Sequence, residues 1–496
     1  MTEIALALAL AGAVSAPERL GPSPKPPPVP REFRGVWVAT VSNIDWPSSR
    51  TLTPAQQRQQ AIAILDRAVE LRLNAIVLQV RPACDALYSS AIEPWSEYLT
   101  NVMGTAPNPL YDPLHFWVAE AHARGLELHA WFNPFRALAS SHRNAIASNH
   151  VSITKPHLVK DYGDAKWLDP GFHESREHSL NVILDVLNRY DVDGIHFDDY
   201  FYPYPISGVA FPDDDSYGAY LSSGGTLSRA DWRRWNIDTF VFTVYQAIKA
   251  AKPTVKFGIS PFGIWRPGNP PGVTGLDAYN AIYADSRKWL QQGWVDYLTP
   301  QLYWRMGSTG QPYQPLLTWW TEQNLMGRHV WPGNFTSNVG SQFGDWPVYE
   351  IAAQIETTRS VPGATGNVHF SMRAFRDDYK GIVATLRDGV YSYGALPPAT
   401  PWLDLKPPRM PSMTVQQNAG DWTLQFADPG GEAALWLVVH ALYGGQWVHE
   451  ILPAGRSEVV VPLTRNGAPL AQVRVERVDR SGNASEGAVF PSRTRH

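Results

Sequence analysis

The chain has 496 residues, of which 44% are apolar and 18% charged, and a net charge of -4. It is too long for one ordinary domain and has the composition of a soluble globular protein, so two structured domains with connecting segments are expected. The weak negative charge leaves no basic stripe to neutralise a phosphate backbone, which excludes nucleic acid as a natural partner.

In chain order, "MTEIALALALAGAVSAPE" is an apolar run that ends at Val14-Ser15-Ala16, a small-x-small cleavage pattern. Residues 1–16 read as an export signal cut after Ala16, although Glu3 stands where such signals carry a positive charge. The run is too short to span a bilayer, and no later run reaches the about 18 apolar residues a span needs. Cys84 is the only cysteine, so no disulfide closes within the chain. An exported protein is expected, periplasmic or at the cell surface, with no membrane span. Residues 17–30, "PERLGPSPKPPPVP", hold seven prolines and read as an extended tether.

From residue 31 to 395, apolar runs alternate with helical patterns. Strands are expected at 34–41, 74–81, 126–135, 192–198, 255–263, 295–304, 329–335 and 366–375, each followed by a helix. Eight such units imply parallel strands with right-handed crossovers, and the economical closure is an α/β fold of the (β/α)8 TIM-barrel type. A doubly wound open sheet is the alternative, but no Gly-rich turn follows the first strand. A second proline seam, 396–411, reads as a linker. Beyond it, 412–493 holds short alternating runs with turn residues between them, the pattern of a small all-β sandwich; its last run, "VRVERVDRSGNAS", resembles the closing hairpin of a fibronectin type III module.

In such a barrel, function gathers at the C-terminal ends of the strands, and residues two apart along a strand share a face. That rule selects Gln79 and Arg81 on the second strand, His129, Trp131 and Asn133 on the third, and His196 with Asp198 on the fourth. It adds Gln301 and Tyr303 on the sixth and His369, Ser371 and Arg373 on the eighth. Together they describe a polar, aromatic-walled cavity. Asp199 follows the fourth strand's end, where alternation no longer binds, so both acids could reach one ligand. Two carboxylates that close repel, and one should stay protonated and serve as general acid. The 20 Trp and 21 Tyr suit stacking on sugar faces, here by Trp131, Tyr202, Trp265 and Trp304. Asn133, Gln301 and Tyr303 suit sugar hydroxyls, and Arg81 and Arg373 suit anionic groups. No metal site and no cofactor is expected. Asp213 to Asp215 read as a solvated acidic turn, and Cys84 as structural.

Five blocks in order, "REFRGVWVATVSNIDWPS", "LNAIVLQVRPACDALYSS", "AWFNPFR", "VDGIHFDDYFYP" and "GISPFGIWR", resemble the bacterial glycosyl-hydrolase-like family ten. The resemblance implies a TIM-barrel glycoside hydrolase of the cell envelope, with peptidoglycan strands as substrate. The fourth-strand motif is similar to the chitinase pattern D-G-x-D-x-D-x-E, but His196 replaces the middle Asp and Tyr200 the catalytic Glu. What remains is the pair Asp198 and Asp199, which suits substrate-assisted hydrolysis of N-acetylhexosamines, one residue protonating the leaving oxygen and the other orienting the 2-acetamido group. Which residue does which stays open. An ordinary two-carboxylate mechanism would borrow its second acid from Asp45, Asp85, Glu93 or Glu97. A glycan-binding pseudoenzyme, held to the wall with help from the C-terminal module, is the reading from another class.

Overall fold

The computed structural model describes residues 25–340, 344–427, 429–431 and 433–491. The expected export signal, 1–16, and the first part of the tether, 17–24, lie outside the described residues. The barrel strands are β1 (Phe33–Val38), β2 (Ala75–Arg81), β3 (Glu127–Phe132), β4 (Gly194–Phe197), β5 (Lys256–Ile259) and β6 (Tyr297–Leu298). β7 comes in two pieces, His329–Val330 and Gly333–Asn334, and β8 is Gly366–His369. Each strand pairs in parallel with the next, and β8 pairs with β1. The two pieces of β7 close the ring, the first pairing with β6 and the second with β8. The fold is a (β/α)8 barrel.

Eight helices cover the strands. They are α1 (Pro54–Glu70), α2 (Pro113–His122), α3 (His173–Arg189), α4 (Arg229–Ala251), α5 (Ser286–Gln291), α6 (Tyr313–Glu322), α7 (Tyr349–Ser360) and α8 (Ile382–Asp388). α1 shows why they start where they do: Pro54 opens it, and Thr53 and Gln56 form a reciprocal capping box. No helix among the described residues is long and apolar enough to cross a membrane. Strand six is far shorter than the 295–304 expected, because Pro300 brings no N–H to the ladder; the chain nonetheless keeps in step with its neighbour through Thr299 N–H to Ile259 O (2.8 Å) and Gln301 N–H to Pro261 O (3.0 Å).

Buried layers lie on both sides of the strands. Outside, they pack on the helices; inside, Phe33, Trp37, Val77, Trp131, Tyr297 and Trp331 form a separate aromatic cluster, with Phe33 and Trp331 stacked at 3.6 Å. Polar groups cross this interior in one hydrogen-bonded column. The Trp37 indole donates to His196 Nε2 (3.1 Å), so His196 carries its proton on Nδ1 and donates it to Tyr297 Oη (3.1 Å). The Tyr297 hydroxyl must then donate to His129 Nδ1 (2.8 Å), and His129 Nε2–H to Glu127 (2.9 Å). Lys256 closes the column on Glu127 at 2.7 Å. Two strand glycines make room for it. A Cβ on Gly194 would stand 2.5 Å from the His129 ring, and one on Gly258 2.1 Å from the Tyr297 ring.

The C-terminal module has the two-sheet arrangement of an immunoglobulin-like sandwich. One sheet holds β9 (Ser412–Gln417), β10 (Asp421–Ala427) and β13 (Glu458–Pro462); the other is built on β11 (Trp436–Tyr443), β12 (Gln446–Pro453) and β15 (Ala468–Val478), flanked by β14 (Thr464–Arg465) and β16 (Ala488–Phe490). It docks at the N-terminal end of the barrel, away from the strand C-termini. Arg480 pairs there with Asp191 (2.7 Å) and Asp193 (3.1 Å), Trp436 donates to Gly125 O (2.8 Å), and Lys256 at the foot of the column donates to Arg480 O (3.0 Å). Gly258→Ala is expected to lower stability by about 1–3 kcal/mol through overpacking against Tyr297; an unchanged melting temperature would show that the column tolerates displacement.

Candidate active site

A cavity of about 220 Å3 opens among the strand C-termini. Its floor and apolar wall are Trp37, Ile44, Trp131, Tyr303 and Phe370; its polar lining is Gln79, Arg136, Asp198, Tyr200, Ser260 and Gln301. A larger cleft, about 570 Å3, lies between the barrel's other end and the sandwich and holds none of the strand-end residues.

β4 ends at Phe197, so Asp198 and Asp199 are the first two residues of the loop. Asp198 faces the cavity, as alternation from His196 requires. Its Oδ2 accepts from Asn133 Nδ2 (3.3 Å), and its Oδ1 from Gln301 Nε2 (3.3 Å) and from the backbone N–H of Asp199 (2.9 Å). Asn133 is held in turn by Gln79 Nε2 (2.7 Å), whose Oε1 accepts from the backbone of Thr40 and Val41 (both 2.9 Å). The ends of β3 and β6 thus meet on the β4 carboxylate, with the ends of β1 and β2 fixing Asn133 from behind.

Asp199 lies behind this surface, 3% exposed, with the Tyr204 hydroxyl donating to its Oδ2. Burial, then the Asp198 charge and a hydrogen bond with Asp198, push its carboxyl well above the usual carboxylate range. Of the two, Asp199 is the carboxyl that its surroundings push toward the protonated form. Tyr200, at the position of the chitinase Glu, lines the cavity beside them.

Several residues selected from sequence are elsewhere. Arg81 is buried, its guanidinium on Glu93 (2.8 and 2.5 Å) and on the carbonyls of Asn133 and Pro134, so it clamps the β2 and β3 loops and does not line the cavity. Arg373 is spent on Ile44 O (2.7 Å), fixing the loop after β1. His129 and His196 are members of the buried column, the latter just under the cavity through Ser260 Oγ (3.0 Å), and burial holds His196 neutral, well below the usual imidazole range. Tyr202 packs between Phe211 and Tyr283, Trp265 stacks on Trp319 and donates to Asp285 (3.0 Å), and Trp304 packs edge-on against Phe262. These aromatics follow the strand ends, where the chain bends outward toward the helices and alternation stops holding. His369 is likewise buried, bonded to Thr336 and Tyr391.

None of the alternative acids lines the cavity. Asp45 serves the backbone N–H groups of Ala39 and Arg373, and burial raises its carboxyl to about 6. Asp85 is raised to about 7 by burial, Glu93 is paired with Arg81, and Glu97 with Arg50 and His142. Asp213, expected in a solvated turn, is buried in the fork of Arg233 (2.6 Å). Cys84, Glu93 and His178 place donor atoms within 4.8 Å of one another, but the Arg81 guanidinium, 3.0 Å from Cys84 Sγ, already supplies the cation there. Burial also pushes the Cys84 thiol up, which makes it a poor nucleophile.

Arg136, Tyr200, Ser260 and Trp37 line the cavity and were not selected from sequence. Trp37 and Ser260 obey the same alternation, through Gly35 and Gly258, and could have been found by extending it to those strands; Arg136 and Tyr200 lie on loops, where no periodicity points to them.

A closed parallel barrel with an adjacent acidic pair at the C-terminal end of β4 defines the class of (β/α)8 glycoside hydrolases. The chain matches the Glycosyl hydrolase-like 10 family over residues 32–346 and belongs to it. It is 39% identical over 425 residues to glycosyl hydrolase YngK of Bacillus subtilis, covering 83% of this chain and 82% of that one. It is 35% identical over 412 residues to glycosyl hydrolase DigH of Escherichia coli K12, covering 76% and 92%. Among solved structures it is similar to the PgaB (BpsB) glycoside hydrolase domain of Bordetella bronchiseptica, with a TM-score of 0.48 and 13% identity over 72% of this chain and 99% of that one.

The raised Asp199 fixes a stability test. Its folded form is protonated while the unfolded carboxyl ionises, so the site costs stability above the unfolded value of about 3.9 and costs nothing below it. Asp199→Asn is expected to raise the melting temperature at pH 7 and to lose that advantage near pH 3; an advantage independent of pH would show that Asp199 is not held protonated.

Proposed function

We propose that the protein hydrolyses glycosidic bonds of a cell-envelope glycan carrying N-acetylhexosamines, with peptidoglycan strands as the substrate, and that Asp198 and Asp199 carry the reaction. One observation supports this above the others: the only carboxylate among the described cavity-lining residues is directly followed by a buried one whose carboxyl its surroundings push well above the usual range. That division suits substrate assistance. Asp198 receives the N–H of the sugar's 2-acetamido group and aims its carbonyl oxygen at C1. As that oxygen bonds to C1, the bond from C1 to the leaving oxygen breaks, and Asp199, turning out from behind Tyr204 toward the cavity, gives the leaving oxygen its proton. Asp199, now ionised, takes a proton from a water that attacks C1, the ring opens to restore the acetamido group, and the configuration at C1 is retained.

The two-carboxylate mechanism has less support, since Asp45, Asp85, Glu93 and Glu97 are committed to the scaffold. The pseudoenzyme reading draws on a different observation, that Asp199 is withdrawn behind Tyr204 and only Asp198 meets the cavity. In either case we place the protein outside the cytoplasm, on the basis of residues 1–16, with the sandwich assisting association with the wall from the end of the barrel opposite the cavity.

Purified glycan strands, stripped of peptides or carrying them, should be cleaved by the wild type, with product masses showing intact N-acetyl groups. Asp198→Asn and Asp199→Asn should each lose about 10²–10⁴-fold in rate. Activity should fall as pH rises through the elevated Asp199 value, because the acid is then already deprotonated. Wild-type activity in both variants would remove the dyad, and binding without cleavage of any envelope glycan by the wild type would establish the pseudoenzyme.

A further inference from the structure

Arg81 and Arg373, the two arginines suited on paper to an anionic group, are both consumed by the scaffold, yet the cavity does hold a cation. Among its described lining residues Arg136 is the only one. Its guanidinium is held on three sides: Nε donates to Pro82 O (2.8 Å), Nη2 donates to Asn133 Oδ1 (2.9 Å), and the plane lies 5.0 Å from the Tyr200 ring. Nη1 has no acceptor among the described residues, and no carboxylate there forms an ion pair with Arg136. A fork so oriented has already lost its rotamer freedom and presents its remaining donors to whatever enters the cavity.

Its position relates it to a particular part of a sugar. Asn133 bonds Arg136 through Oδ1 and Asp198 through Nδ2, so one side chain separates the guanidinium from the carboxylate that orients the 2-acetamido group. A group lying beside the acetamido group is a substituent on the neighbouring carbon, C3. In a peptidoglycan strand the two alternating sugars differ there: N-acetylglucosamine has a hydroxyl at C3, and N-acetylmuramic acid a lactyl ether ending in a carboxylate. We propose that Arg136 is the specificity-determining residue for this acidic amino sugar, placing N-acetylmuramic acid on the dyad so that the bond cleaved is the one at its C1. This rests on the substrate-assisted reading above and adds to it the identity of the sugar whose acetamido group takes part.

The test uses the full chain with peptide-stripped strands, either untreated or with their lactyl carboxylates chemically reduced to alcohols. After borohydride treatment of wild-type products, the new ends should be muramicitol. The wild type should bind and cleave untreated strands at least about tenfold better than reduced ones, as expected for a charge-assisted hydrogen bond, and the difference should lie in KM. In Arg136→Met the ratio should collapse to about one. The comparison of two substrates on the wild type does not depend on how well the variant folds. New ends of glucosaminitol, or equal binding of both strand types by the wild type, overturn the assignment. A binding preference without any cleavage instead leaves the carboxylate recognition standing and sinks the hydrolase reading alone.

Discussion

The structure depends on how the barrel satisfies polar groups in its own interior. Glu127, His129, His196, Lys256 and Tyr297 are all at most 1% exposed, and each unmet donor or acceptor there would cost about 1–3 kcal/mol. They are arranged as a single file of hydrogen bonds, and the direction of the whole file follows from its upper end, since an indole can only donate. The lower end is a Lys and Glu pair whose charges cancel, with the Lys also anchored to the sandwich through Arg480 O. The column thus joins the cavity floor, at Trp37, to the interface between the two domains. It also explains why Gly194 and Gly258 stand in the middle of strands, where a glycine otherwise weakens pairing: the column fills the space their side chains would take.

At the top of the barrel the same principle produces a reactive arrangement. Asp198 is surrounded by amide donors that are themselves fixed, Gln301 by the Ser260 carbonyl (2.9 Å) and Asn133 by Gln79 and Arg136, so its carboxylate is held without an ion pair. Asp199, one residue on, accepts from the Tyr204 hydroxyl, and burial beside Asp198 pushes its carboxyl well above the usual range. Two adjacent residues of one type thus sit in different environments, which is how carboxyl pairs acquire distinct roles. Arg136 completes the arrangement from the far side of Asn133, contributing charge to the cavity without neutralising the pair.

The sandwich contributes from a distance. Its contacts, Arg480 on Asp191 and Asp193 and Trp436 on Gly125, lie on turns that precede β4 and β3. They brace the N-terminal ends of the strands whose other ends carry the chemistry, and they leave the cavity mouth uncovered.

Much of this was legible in the sequence. Strand and helix succession, the eight-fold closure and the inward set Gln79, Trp131, Asp198, Gln301 and Tyr303 all follow from local periodicity, because backbone geometry forces alternation along a strand. The blocks from Arg31 to Arg266 also carried the family. What could not be read was the fate of charged and aromatic side chains beyond the strand ends. Arg81 and Arg136 are the same residue type at nearly the same height, yet one is buried on Glu93 and the other opens into the cavity, a difference set by which loop brings a carboxylate within reach. Asp198 and Asp199 differ likewise only in what surrounds them. Local sequence thus determined which residues a strand could present; the tertiary structure decided which of them are satisfied by the scaffold and which remain free, because pairing partners and burial come from chain segments tens to hundreds of residues away.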